Sequence, residues 1–227
     1  MFFTIFFNEL KYWFGKPAFY IYSIIFLFIA LMMSGASAGL FDFLTVTTGS
    51  SKIVNSPLGI TQLFGAVSGI LIFLYPSIIG VSVYRDYQSE MHTILYSYPF
   101  TKLEYLLAKF FSGIFIVNLI VLIIAFAISF GFVLPGTNQE IVGPFDIKSY
   151  LDVYFIYILP NMLFMGAIVF GIVTFTRNIS AGFITVLILL ISQGFLISLF
   201  EDPDKRFLAA ILDPFGDSAI LYYTRYL

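Results

Sequence analysis

A single histidine, His92, and the absence of any cysteine restrict the chemistry open to these 227 residues. No disulfide, thiolate nucleophile or cysteine-ligated metal can form. One imidazole supplies neither the H-E-x-x-H pair of a zinc protease nor, through any recognisable local motif, a Ser-His-Asp arrangement. The G-x-x-x-x-G-K-[ST] phosphate loop is missing as well, so any ATP and magnesium chemistry is expected on another chain or on a missing part of this one. No catalytic residue, metal ligand or cofactor is therefore assigned within this chain, and no basic patch suits a nucleic acid. The polar residues left to do work fall into two sets. One is the charged group Arg85, Asp86 and Glu90 beside an apolar face; the other is the set of amides Gln62, Asn118, Asn161 and Gln193, set in strongly apolar surroundings.

The elements that must position these residues are membrane helices. The chain is 60% hydrophobic and 11% charged, with a mean hydropathy of +0.98, against about 25% charged in an ordinary soluble domain. Five stretches, 18–40, 60–84, 110–134, 153–176 and 179–200, contain no Asp, Glu, Lys or Arg. About 20 residues at about 1.5 Å rise suffice to cross the hydrocarbon core. Continuous runs such as Ile120 to Phe126 do not fit the alternating, roughly ten-residue strands of a β-barrel. The expected fold is all-α: a polytopic transmembrane bundle, 18–200, preceded by an amphipathic entry helix, 1–17, in the interface. That entry segment carries Phe2, Phe3, Phe6, Phe7 and Trp13 among sparse polar positions (Thr4, Asn8, Glu9, Lys11), and Gly15 and Pro17 turn the chain into the bilayer. Ala36-Ser37-Ala38 resembles a signal-peptidase site, but the apolar run before it exceeds a usual signal core and bulky aromatics precede that run.

Orientation follows from the basic residues. A cytoplasmic N-terminus places Lys11, Lys16, Arg85, Lys102, Lys109 and Arg177 inside, against Lys52 and Lys148 in the first two outer loops. Among the amides, interhelical hydrogen bonding competes with a pathway-lining role. Gly65 and Gly69 form a G-x-x-x-G on the second span that suits close helix packing. The absence of acidic residues in the spans argues against a proton- or sodium-coupled carrier.

The segment 85–107 between the second and third spans is the most informative. Tyr87, Met91, Ile94, Leu95 and Tyr98 recur at helical spacing on one face, Pro99 ends that helix, and Thr101 with Glu104 forms a capping box for the next. The order R-D followed by I-L-Y-S-Y-P-F-T-K-L-E-Y-L-L-A-K resembles the coupling segment of type-2 ATP-binding cassette (ABC) exporter permeases. The resemblance implies that Arg85, Asp86, Glu90, Met91, Ile94, Leu95 and Pro99 rest on a partner ATPase subunit, with Lys102, Leu106 and Lys109 also matching. His92-Thr93 and Ala108 stand where the family has Gly-Thr and Gly. The same resemblance implies pairing with a second copy or a second permease half in a bacterial cytoplasmic membrane. Asn55-Ser56-Pro57 and Asp213-Pro214-Phe215-Gly216 further resemble a bacterial subgroup fused to a zinc aminopeptidase domain, of which no peptidase residue is present here.

Residues 201–227 are expected to form a re-entrant-like outer tail preceding a missing sixth span, since its apolar run, Phe207 to Leu212, is too short to cross. A non-transporting membrane anchor or scaffold is the competing reading. Single cysteines test the topology: at Ser51 and Thr137 they are expected to react with impermeant thiol reagents from outside, and at Ser89 only after the membrane is opened. Outside labelling at Ser89 would reverse the orientation.

Overall fold

A computed structural model describes residues 1–41, 53–89, 101–201 and 205–224. Every regular element among them is helical, as the composition requires. Helix α1 spans Phe2–Phe14 and α2 spans Pro17–Ser37. Next come α3, Pro57–Leu71, a π-helical segment, Tyr75–Gly80, and α4, Val81–Gln88. Helix α5 covers Lys102–Gly131. Helix α6, Ile147–Val153, runs through a second π segment, Tyr154–Ile158, into α7, Leu159–Thr176. Helix α8 is Ile179–Glu201, and a short hairpin closes the described chain as α9, Arg206–Leu212, and α10, Asp217–Thr224.

Four of these, Pro17–Ser37, Lys102–Gly131, Ile147–Thr176 and Ile179–Ser198, are long and apolar enough to cross a membrane. The second expected span is broken: Pro57–Leu71 and Tyr75–Gln88 meet at 50°, and only together do they make a fifth crossing. Pro76 lies at the start of the first π segment and Pro160 just after the second. A proline removes one backbone donor and crowds the preceding turn, and a π turn accommodates both. The third and fourth crossings begin earlier than their uncharged runs, at Lys102 and Ile147, because capping starts them there. Thr101 accepts from the Glu104 amide at 3.2 Å while Glu104 accepts from the Thr101 amide at 3.1 Å. Asp146 accepts from the amides of Lys148 and Ser149 at 3.1 and 3.2 Å.

Helix α5 is the hub, with Ile116, Val117, Ile120, Ile124 and Ile128 among its fully enclosed side chains. Helix α2 lies against it along a helical stripe that includes Ser23, Ala30, Ser34 and Ser37, small residues that let two backbones approach in a solvent offering no hydrophobic drive. Ser34 Oγ bonds back to the carbonyl of Ala30 at 2.9 Å, so its hydroxyl costs nothing at that contact. At the end where α3 starts, Asn55 clasps the loop before α6, donating to the Gly143 carbonyl at 2.7 Å and accepting from the Gly143 amide at 2.8 Å. Ser56 caps α3 through the Gly59 amide, which gives Asn55-Ser56-Pro57 a structural reason.

The α2–α5 contact is tightest at Gly131, where an added Cβ would lie 1.9 Å from Ser34 Oγ. Gly131→Val is expected to destabilise the protein by about 1–3 kcal/mol, read as a lower thermal unfolding midpoint. Ser34→Ala in the same background should recover part of the loss.

Candidate functional site: a buried ion network beside residues 90–100

Helix α1 is amphipathic, and Glu9, Tyr12 and Trp13 share the face it turns to the bundle. On α4, Ser82, Arg85 and Asp86 lie at the same spacing, and on α5 so do Tyr105 and Lys109. These three faces meet. Lys109 is 3% exposed and Glu9 5% exposed, and ionised groups so buried require partners. The Lys109 ammonium donates to Glu9 Oε1 at 2.5 Å and to the Ser82 carbonyl at 2.9 Å, and it forms an ion pair with Asp86 Oδ2 at 2.7 Å. Arg85 Nη2 donates to the same Glu9 oxygen at 2.6 Å, and its guanidinium lies 3.8 Å from the centre of the Tyr12 ring. Tyr105 donates its hydroxyl to Asp86 Oδ2 at 2.6 Å.

Two cations and two carboxylates thus form a neutral cluster that ties α1, α4 and α5 at one end of the bundle. Of the residues expected to couple to a partner, Arg85 and Asp86 belong to it. Glu90, Met91, Ile94, Leu95 and Pro99 lie outside the described residues. Asp86 is buried in the cluster and Arg85 partly so. Reading charges only as span boundaries missed Glu9 and Lys109 as members of the site. Their signal was positional: Lys109 lies four residues after Tyr105 on a helix already begun at Lys102, and Glu9 is the one acid of a strongly aromatic helix. The turn between α7 and α8 reaches the same end. Arg177 adopts a left-handed conformation, φ 53°, and lies 5.0 Å above the Tyr87 ring.

The amides collect elsewhere. Asn161 donates to the Phe215 carbonyl at 2.5 Å, Gln193 reaches Asp217 at 3.5 Å, and Gln62 lines the same opening beside Asp217. Asn118 stands apart, accepting from the Tyr154 hydroxyl at 2.7 Å and so joining α5 to the second π segment. Gly65 packs against the Asp217–Tyr157 pair, whereas a Cβ on Gly69 would meet nothing in this chain.

Truncating one member should expose the energetics. Lys109→Met leaves two buried carboxylates facing one arginine and is expected to cost about 3–5 kcal/mol. Adding Asp86→Asn, which leaves the Glu9–Arg85 pair intact, should restore much of it, a non-additivity measurable by equilibrium unfolding of the two single and one double variants. Comparison of the chain with family models, with curated proteins and with solved structures finds no match.

Proposed function

We propose that the chain is the membrane permease component of an ABC exporter, resident in a bacterial cytoplasmic membrane with its N-terminus inside and driven by a partner ATPase subunit. The observation that carries this reading is the buried ion network. Residues 90–100 leave α4 just after Arg85 and Asp86 and re-enter α5 just before Tyr105 and Lys109. A push on that segment therefore meets three helices already joined by desolvated charge contacts, which pass movement on rather than absorb it. The interfacial entry helix, the early start of α5 and the multi-span bundle agree with the same layout. Two copies, or one copy with a second half, would enclose a translocation path to which the uncharged polar residues Gln62, Asn161 and Gln193 contribute.

Met91 and Leu95, on the apolar face of the segment, decide between exporter and scaffold. Replacing both with Asp would bury charge against a docked ATPase at a cost of several kcal/mol, about the scale of an unpaired buried polar group. On a solvated surface the same changes stay within about ±0.5 kcal/mol. Loss of co-purification with the ATPase and of coupled ATP hydrolysis, with normal membrane insertion, is the expected result. Retained association and coupling would leave the scaffold reading ahead.

A further inference from the structure

The α9–α10 hairpin is fastened to the spans around one carboxyl that no cation among the described residues neutralises, and we propose that its docking is coupled to protonation of Asp217, making the hairpin a proton-sensitive lid on the cavity between α3, α5 and α7. This goes beyond the exporter reading and does not rest on it.

Phe215, at the turn between the two short helices, closes the cavity together with Phe64, Tyr75, Tyr157 and Met162. Its carbonyl is held by Asn161 at 2.5 Å. Two residues on, Asp217 accepts from the Tyr157 hydroxyl and, at 3.5 Å, from Gln193 Nε2. Helix α3 packs directly on this pair: a Cβ on Gly65 would lie 3.3 Å from both Asp217 Oδ1 and the Tyr157 oxygen. Three separate elements therefore converge on a single carboxyl.

Among the described residues none places a cation beside it. Helices α3 and α7 contain no ionisable residue, and α8 has only Glu201 at its C-terminal end. The other ionisable groups described on the neighbouring elements include Tyr75 and Tyr154 on the two π segments, Tyr157, Asp213, Tyr222, and Lys205 and Arg206 at the start of α9. Among the described residues neither Lys205 nor Arg206 is within ion-pair distance of Asp217. Asp213 is itself engaged by the main chain, accepting from the Phe215 amide at 2.8 Å and the Ser218 amide at 2.5 Å. Two buried acceptors, Gln62 Oε1 and Gln193 Oε1, have no partner among the described residues. An ionised Asp217 can only accept, whereas a protonated one also donates, which is what a site rich in unused acceptors favours.

Burial pushes the Asp217 carboxyl above its ordinary range; the Tyr157 hydrogen bond opposes this and the neighbouring Asp213 charge adds to it. A carboxyl raised in the docked state stabilises docking fully below its undocked pKa, and that stabilisation is lost as pH rises through the docked value. The lid closes on proton uptake and loosens on proton release.

The natural absence of cysteine makes the test direct. Ser68→Cys, on the cavity wall, is reacted with a charged methanethiosulfonate in nanodiscs between pH 5 and 8, and its rate is divided by that of exposed Gln139→Cys. The ratio is expected to rise with pH, by up to about tenfold for each unit by which docking displaces the pKa. Added D217N should hold it near its low-pH value throughout. Y157F, which removes a donor to the charged form, should move the midpoint to higher pH and serves if D217N fails to fold. A ratio independent of pH in the parent, an unchanged profile in D217N, or an unmoved midpoint in Y157F would each overturn the proposal.

Discussion

The buried ammonium of Lys109 is the constraint on which the arrangement of α1, α4 and α5 depends. Removing such a charge from water costs several kcal/mol, recovered only when its donors are filled at short range. The Glu9 carboxylate and the Ser82 carbonyl accept from it, and the Asp86 carboxylate adds an ion pair. Those partners could not approach if α1 lay elsewhere or α4 were rotated by a residue. The cluster thus specifies a geometry more than it adds stability. Well-packed apolar side chains could hold three helices together, but they would tolerate sliding that a directional network does not.

The far end of the bundle is fastened by different chemistry. There, neutral amides, hydroxyls and main-chain groups make the joints: Asn55 to the loop before α6, Tyr154 to Asn118, Asn161 to the turn after α9. Each such bond has a modest net worth, and some are open to competition from water. Between the two ends lies the apolar packing of α5 against α2, α3 and α7. One end is joined by charge and the other by neutral polar contacts and the Asp217 carboxyl.

Much of this layout was legible in the amino-acid order because bilayer thickness imposes a length that uncharged runs reveal. The fold class, the amphipathic helix α1 and the Thr101–Glu104 cap all follow from such local rules. The break between α3 and α4 did not, since Pro76 marks a place where a helix can bend without saying whether packing will bend it. The burial of Lys109 was not legible either, because the partners that satisfy it are 100 and 23 residues away along the chain. The convergence of Gln62, Asn161 and Gln193 on the hairpin was hidden for the same reason. Amides in an apolar run announce a partner but not which one, as the Tyr154–Asn118 bond shows.

The neutrality of the four-charge cluster has an electrical consequence. Moving one elementary charge through the full membrane potential involves about 2.3 kcal/mol per 100 mV, so a lone buried lysine near the membrane surface would make any displacement of α5 voltage-dependent. Glu9 and Asp86 travel with Arg85 and Lys109 as one body, and the work done on the two signs cancels. Displacing the cluster as a unit across an electric field would therefore do almost no net work on its charges.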